Sequence, residues 1–334
     1  MVSRSANLNQ AKTKSSISPV AFQNLIILGI LIIISVGMSV ASDKFLSATN
    51  FSNLLVQASM VVITGSAVNL LIISGHLDLS IGGIVAMAGV LYALFCQAKI
   101  PPYPWAALFA VLIAGTLMGL LNGILVTRLR MPFFIATLGV MYITRGIAYI
   151  GAKGTTIAFG LPANFPYLGN KSLGPIPLPI VYTVIIFLVF LFIQTKTVLG
   201  KQSFATGSNI KAAKLSGINT KKVITLLYVL SGSMAAFSGL LFTARIGVAD
   251  CTIGQGFEFD VIIASVLGGT SISGGKGSII GMVVGALLLR VLTNGLNLIG
   301  LASYYQSVIS GIILILAILL NRFILVKSKS VAVE

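Results

Sequence analysis

Long apolar runs constrain this chain more than any other feature of its sequence. A membrane-crossing helix needs about 20 consecutive apolar residues, and ten runs of roughly that length can be counted: 22–42, 53–74, 81–98, 104–127, 132–150, 178–194, 223–245, 257–272, 277–299 and 303–321. Only 8% of the 334 residues are charged, whereas soluble domains carry about 25%. The mean hydropathy is +1.04. The sequence therefore predicts an all-α polytopic membrane protein with about ten transmembrane helices.

The net charge of +16 comes from basic residues that lie mainly between the apolar runs. With a cytoplasmic amino terminus, fifteen lysines and arginines fall in inner segments and four in outer ones, which is the asymmetry that membrane topology follows. This placement argues against a nucleic-acid partner, which would need a basic face. We expect both termini in the cytoplasm. We expect a tail over 1–21, one membrane domain over 22–325 and a second tail over 326–334.

A short motif recurs when the chain is shifted by 172 residues. The sequence Asp78-Leu-Ser-Ile-Gly82 falls on Asp250-Cys-Thr-Ile-Gly254, and Asn122-Gly123 falls on Asn294-Gly295. Few other positions match, so chance similarity is the alternative to duplication. A repeat of five helices places its copies in opposite orientations, and such inverted repeats enclose a transport pathway. We expect two halves, about 22–177 and 178–325.

Asp78 lies between two apolar runs, in the stretch SGHLDLSIGG over 74–83. An ionisable residue at membrane depth costs about 2.5–3.5 kcal/mol on insertion scales, so it needs a reason. One interpretation is that Asp78 caps the following helix by accepting backbone N–H groups. The other is direct contact with substrate or a gate. We interpret His76, the one histidine, as a structural residue.

Glycines recur every fourth residue in two runs, at 115, 119 and 123 and at 277, 281 and 285. Such rows let helix backbones approach closely in lipid, and they predict tight helix packing.

The sequence offers no catalytic group. One histidine excludes an H-E-x-x-H site, and neither a G-x-S-x-G elbow nor a G-x-x-x-x-G-K-[ST] phosphate loop is present. The chain is therefore expected to be no enzyme, with no metal, no bound cofactor and no ATP site of its own. Active transport would take its energy from a partner or an ion gradient.

Several stretches resemble the ribose-type (monosaccharide) ABC transporter permease family of bacterial inner membranes. They are GSNIKAAKLSGINTKKV (207–223), SGHLDLSIGG (74–83), MPFFIATLGVMYITRG (131–146), GFEFDVIIASVLGGTSISGGKGSIIGMVVGALLL (256–289) and NGLNLIGLASYYQ (294–306). They cover much of the chain in the family's order. The resemblance implies a membrane subunit that passes a monosaccharide, a pentose-like sugar first, in a vitamin-B12-importer-like (type II) fold.

The resemblance also implies partners. These are ABC ATPase subunits that bind ATP and Mg²⁺, a periplasmic or lipid-anchored sugar-binding protein, and a second permease chain in a homodimer or heterodimer. The loop 195–222 would then carry an ATPase-coupling helix, seated in a groove of the ATPase. Its residues are Gly207, Asn209, Ala212, Ala213, Leu215, Ser216 and Gly217, with Asn209 near the start, Gly217 at the end, and the two alanines and Leu215 on one apolar face.

Candidates for the pathway or gate are Asp78, Ser80, Asn122, Thr137, Arg145 and Asn294. Arg290 departs from the family pattern, because a small residue is expected there, and within the ninth helix it needs a partner. The alternative function is an ion-coupled secondary transporter with inverted repeats. That class needs deep acids to carry the ion, and Asp78 is the one acid that the sequence places deep.

Overall fold

The computed structural model describes residues 19–99 and 101–302, together with 305, 306, 308, 309, 311–313, 315 and 319. The described chain is almost entirely helical. Its helices are α1 Pro19–Ala41, α2 Ala48–Ile73, α3 Ile81–Gln97, α4 Trp105–Thr127, α5 Phe133–Ala152, α6 Tyr167–Asn170, α7 Leu178–Lys196, α8 Val198–Ser208, α9 Ile210–Leu215, α10 Thr220–Ile246, α11 Phe257–Leu267 and α12 Ile279–Leu298. Between α6 and α7, β1 (Ser172–Leu173) and β2 (Ile176–Pro177) form an antiparallel hairpin.

Six helices of the described chain are long and apolar enough to cross a membrane: α2, α4, α5, α7, α10 and α12. The helix predicted over 257–272 is shorter than expected. It ends at Leu267, and the next residues are Gly268 and Gly269, the latter with φ +86°. Its 11 residues rise about 16 Å, which is half of a ~30 Å hydrocarbon core. The tenth run, 303–321, and both predicted tails lie largely outside the described residues, so the total of ten stays a prediction.

Helix α2 forms the centre of the bundle. Its side chains are buried continuously from Ala58 to Ile73, and it packs against α7, α10, α11 and α12. A helix that is apolar all round is buried in this way, because no face of it needs water. The single large core cluster follows from this arrangement.

Both glycine rows lie at close packing contacts, as predicted, although Gly277 precedes α12 and packs against Ile73 and Thr270. On α4, a Cβ at Gly115 or Gly119 would overlap the backbone of α10 at Gly232 and Tyr228. On α12, a Cβ at Gly285 would overlap the carbonyl of Ala264 on α11. Small residues thus bring these two helix pairs into backbone contact.

Three of the non-helical segments in the described chain join α2 to α3 (74–80), α10 to α11 (247–256) and α11 to α12 (268–278). The segment 195–222 is not a continuous loop. It contains α8 and α9, where the sequence predicted one short helix. Helix α8 begins at a cap in which the Thr197 hydroxyl accepts from the Gly200 N–H, and it is too polar to show as an apolar run.

Candidate functional site

The two copies of the D-x-[ST]-I-G motif form the same turn. Asp78 Oδ1 accepts the Ser80 backbone N–H at 2.9 Å and the Ser80 hydroxyl at 2.5 Å. Asp250 Oδ1 accepts the Thr252 N–H at 2.7 Å and the Thr252 hydroxyl at 2.6 Å. An aspartate that binds the backbone two residues onward closes an Asx turn. The internal similarity in sequence therefore corresponds to the same local structure in two places.

These two motifs touch through their glycines. A Cβ placed on Gly82 would overlap the carbonyl oxygen of Gly254 and Oε2 of Glu258. In turn, a Cβ on Gly254 would lie 3.0 Å from the carbonyl oxygen of Gly82. The segment 247–256 therefore reaches the first turn of α3, and any larger residue at this contact would separate the two segments.

Asp78 lies at the centre of a buried hydrogen-bond network. Its Oδ2 accepts the Ser231 hydroxyl of α10 at 2.7 Å. Asn122 of α4 donates to the Ser80 hydroxyl at 2.8 Å and approaches Asp78 Oδ1 at 3.4 Å. The Tyr228 hydroxyl donates to the Leu77 carbonyl at 3.0 Å. These bonds tie the 74–80 segment to α4 and α10.

This geometry bears on the two interpretations of Asp78. The carboxylate is 0% exposed, and the N–H it accepts belongs to Ser80, the residue before α3, whose own side chain makes no capping bond. Asp78 thus closes the turn that precedes the helix. Its contact with substrate or a gate stays a prediction. His76 packs edge-on against Phe133 and Tyr228.

Arg145 of α5 holds the non-helical segment 247–256. Its Nη1 donates to the carbonyl oxygens of Cys251 and Ile253 at 2.8 and 2.9 Å. Irregular backbone within a membrane bundle is tolerated where its polar groups are satisfied by protein or line a water-filled cavity. Arg145 satisfies two carbonyls that no helix supplies with donors.

A cavity of about 500 Å³ opens beside this arginine. Polar and aromatic side chains form most of its lining, which consists of Met141, Tyr142, Arg145, Tyr149, Thr252, Gln255, Gly256, Glu258 and Phe259. Hydroxyl, amide and guanidinium groups next to aromatic faces are the usual composition of a pocket for a small polar ligand.

Glu258 was missed by the sequence reasoning. It lies in the first turn of α11 and is 7% exposed, and its Oε2 has no hydrogen-bond partner in the part of the chain that the structure describes. The sequence indicated Asp78 as the one deep acid, whereas the structure shows Glu258 as a second buried acid. The sequence contained one signal of this burial, since Glu258 lies among apolar residues in GFEFDVII.

Asp250 links the 247–256 segment to the loop between α5 and α6. The Thr156 hydroxyl donates to its Oδ2 at 2.6 Å, and Ile157 and Ala249 exchange both backbone hydrogen bonds, at 2.8 and 3.1 Å. The hydrogen bonds from Thr156 and Thr252 stabilise the charged form, so they lower the pKa of Asp250 below its ordinary value.

The remaining pathway candidates lie apart from this centre. Thr137 is buried and donates to the Phe133 carbonyl of its own helix at 2.8 Å. Asn294 of α12 exchanges hydrogen bonds with Asn50 of α2 at 2.9 and 3.0 Å. The structure thus brings Asp78, Ser80 and Asn122 together and leaves Thr137 and Asn294 elsewhere. Arg290 has the partner that the sequence required, since its Nη2 lies 2.5 Å from Asp260 Oδ2.

Helix α9 has Asn209 at its start and Gly217 beyond its end, as predicted, but Gly207, which the prediction included in the same helix, lies in α8. The Asn209 side chain accepts the N–H groups of Lys211 and Ala212 at 3.0 Å, and Gly217 has φ +81° just beyond the last turn. The predicted single apolar face is wrong. Ala213 is 4% exposed and faces this chain, whereas Leu215 is 91% exposed and faces away from it.

The end of α8 packs onto the core at a cluster of glycines. A Cβ on Gly207 would overlap the Ile73 carbonyl at the end of α2. The same carbonyl accepts the Gly275 N–H at 2.8 Å, and Gly274 lies against Gly75 and Gly207. The helices α8 and α9 are thereby joined to two of the three non-helical segments.

Similarity to known proteins is consistent with this architecture. The family described as "Branched-chain amino acid transport system / permease component" matches residues 50–318. The chain belongs to this permease family. Within it, the ribose import permease protein RbsC of Escherichia coli (strain K12) is 35% identical over 299 residues, which are 89% of this chain and 92% of the relative.

Two further relatives show the spread of substrates. The D-allose transport system permease protein AlsC of Escherichia coli (strain K12) is 35% identical over 293 residues, covering 88% of this chain and 89% of the relative. The galactose/methyl galactoside import permease protein MglC of Haemophilus influenzae is 35% identical over 325 residues, with coverages of 92% and 96%. No solved structure matches the chain significantly. The resemblance to monosaccharide permeases that the motifs predicted is confirmed.

Proposed function

We propose that this chain is the membrane-spanning permease subunit of an ATP-driven ABC importer for a monosaccharide. The observation that carries the proposal is the 35% identity to ribose, allose and galactose permeases over about nine-tenths of both chains. The family description names amino acids, but these relatives are named for sugars. A pentose such as ribose is the first substrate to test, followed by the hexoses.

The bundle itself hydrolyses no ATP in this proposal, so it needs partners. ATPase subunits would supply the energy, a sugar-binding protein would deliver the substrate, and a second permease chain would complete the pathway. We call the end of the bundle that carries α8, α9 and the lysines of 195–222 its basic end. We place this end in the cytoplasm of a bacterial inner membrane, as the positive-inside rule favours. The ten-helix, inverted-repeat, type II fold is part of this proposal, and the repeated Asx turn supports it.

Helix α9 is the proposed contact with the ATPase. An exposed leucine on a capped helical turn is the kind of anchor that fills a hydrophobic groove on a partner. Leu215 and Ile210 supply that anchor because both are exposed. Ala213 holds the helix against its own chain and is not available to the partner.

A series of direct contacts connects α9 to the core. Displacement of α9 would move α8, and Gly207 at the end of α8 contacts Ile73 and Gly274 without intervening side chains. From there the 74–80 segment leads to Asp78, and the Gly82–Gly254 contact leads on to 247–256. Backbone-to-backbone contacts transmit small shifts directly because no flexible side chain absorbs them.

The cavity beside Arg145 is the proposed place where the sugar passes this protomer. Gln255, Thr252 and Arg145 supply hydrogen-bonding groups for sugar hydroxyls, and Tyr142, Tyr149 and Phe259 supply ring faces for the apolar C–H surface. In this proposal the site needs little selectivity of its own, since the binding protein selects the sugar before delivery.

Glu258 is buried as well as Asp78, so the number of buried acids does not separate the ion-coupled alternative from an ABC importer. Membership of an ABC permease family favours the ATP-driven mechanism instead. The two mechanisms differ in their energy source, and an uptake assay separates them.

The test is uptake into proteoliposomes that contain this chain, its candidate ATPase and its binding protein. We expect uptake of labelled ribose, allose or galactose that requires ATP and the binding protein, with no uptake of leucine. An ATPase variant without hydrolytic activity is the control. Sugar uptake by the chain alone, driven by an ion gradient, would refute the proposal, and ATP-dependent uptake of leucine would refute the sugar assignment.

A further inference from the structure

We infer that a groove between α4 and α10 binds an anionic phospholipid at the basic end of the bundle. The groove encloses about 710 Å³. Its lining includes the cations Arg128, Lys221 and Lys222 and the apolar residues Leu120, Ile124 and Leu226, and it contains no acid.

Within the part of the chain that the structure describes, the three cations form no salt bridge. The one salt bridge among the described residues is Arg290–Asp260, far from this groove in the chain. The Thr127 and Thr225 hydroxyls lie 3.0 Å apart and are already bonded to each other. The groove therefore offers an unneutralised positive site, and α10 adds the positive end of its dipole because it begins there.

The other end of the groove is apolar and continues along α4. Leu120 and Leu117 are exposed on one face of this helix, and Ile113 and Phe109 follow on the same face. From Arg128 to Leu117 the helix rises about 16 Å, which is the depth of one leaflet of a ~30 Å hydrocarbon core. A phosphate at the cations would thus place an acyl chain along this face.

This combination of features identifies the ligand class. Basic pockets between membrane helices at the cytoplasmic side suit the head groups of anionic lipids, and guanidinium groups match phosphate geometry. A peptide partner would bury Leu120 and Leu226 but would leave the cations needing acidic residues. A lipid satisfies the charge and the apolar face with one molecule. The inference is independent of which sugar is carried.

The experiment measures lipid retention by native mass spectrometry of the full-length, delipidated protein. The probes are diacyl phosphatidylglycerol, which is anionic, and phosphatidylcholine, which is neutral overall. The groove variant is Arg128→Gln/Lys221→Gln/Lys222→Gln. The matched control is Lys196→Gln/Lys201→Gln/Lys276→Gln, which removes three exposed cations that lie outside the groove. Ile124→Trp fills the groove and keeps every charge.

A basic residue beside an anionic lipid surface is worth about a fivefold change in affinity. We therefore expect the groove variant to bind phosphatidylglycerol roughly 100-fold more weakly. The matched control should lose less than about threefold, and Ile124→Trp should also lose phosphatidylglycerol. Phosphatidylcholine should bind all four proteins weakly.

Three results would overturn the inference. The first is an equal loss in the groove variant and the matched control, which would indicate general surface attraction. The second is unchanged binding in Ile124→Trp. The third is a groove variant that retains phosphatidylglycerol but no longer co-purifies with the ATPase, which would assign this face to that subunit. Equal melting temperatures of the variants in detergent exclude misfolding as the cause.

Discussion

The contact between Gly82 and Gly254 can be tested by adding one methyl group. In Gly82→Ala the new Cβ would overlap the Gly254 carbonyl and the Glu258 carboxylate. The carboxylate can swing away, but the carbonyl moves only if the whole 247–256 segment moves. Overpacking of this kind costs about 1–3 kcal/mol, against a gain of at most about 0.5–1 kcal/mol from replacing glycine in a helix.

Gly139→Ala on α5 is the matched control. Gly139 also lies within a helix, but a Cβ there meets nothing within 4 Å, so this variant should keep the helix gain without the overlap. The two variants should therefore differ by about 1–3 kcal/mol in their free energy of unfolding.

The assay is thermal unfolding of the purified full-length variants in the same detergent. Because 1 kcal/mol shifts the melting temperature by about 2–4 °C in a larger domain, Gly82→Ala should melt at least about 2 °C below Gly139→Ala. Adding Glu258→Ala should not restore stability, since the carbonyl overlap persists. Equal melting temperatures in the two single variants would refute the close contact between the motifs.

Three further predictions concern charged residues. Arg145→Leu removes the donor to two carbonyls and should lower the free energy of unfolding by roughly 1–3 kcal/mol for each of them. The melting temperature and uptake rate of Arg145→Lys should lie between those of Arg145→Leu and the wild type. Arg290→Met should lower stability by about 1–3 kcal/mol, and addition of Asp260→Asn should recover part of the loss; no recovery would contradict the ion pair. Because hydrogen bonds lower the pKa of Asp250, its turn should be fully stabilised above about pH 4 and should weaken as the pH falls through that lowered pKa. Hydrogen exchange between 249 and 252, corrected for intrinsic rates, should report this in the wild type and not in Asp250→Asn.

The sequence predicted the six long apolar helices of the described chain. The runs 104–127 and 132–150 correspond to α4 and α5 within two residues at either end, because long apolar periodicity leaves few alternatives. It failed at α8, whose polar residues carry no apolar signal, and at the end of α11. There the two glycines at 268 and 269 stop the helix inside an apolar run.

For the candidate site, local motifs were informative and long-range contacts were not. The D-x-[ST] pattern predicted a special role for Asp78, since a short-range turn is encoded by adjacent residues. The role of Ser231 could not be found, because a serine within a helix usually bonds to its own backbone. The burial of Glu258 against Gly82 depends on tertiary packing between α3 and α11. Likewise, which face of α9 is buried depends on the tertiary contacts of Ala213, and these are not encoded by adjacent residues.

The proposed coupling of this permease to an ATPase through α9 can be tested by site-specific crosslinking. The native Cys96 and Cys251 are buried, so a cysteine introduced at an exposed position can be labelled selectively with a photoreactive maleimide. The test variant is Leu215→Cys on α9. The control is Leu173→Cys on β1, where Leu173 is 67% exposed. These two positions lie on opposite sides of α7 in the sequence, since β1 precedes that helix and α9 follows it. In the assembled transporter, we expect position 215 to crosslink to the ATPase subunit and position 173 not to crosslink to it. A crosslink to the ATPase from position 173, or none from position 215, would contradict the proposed coupling.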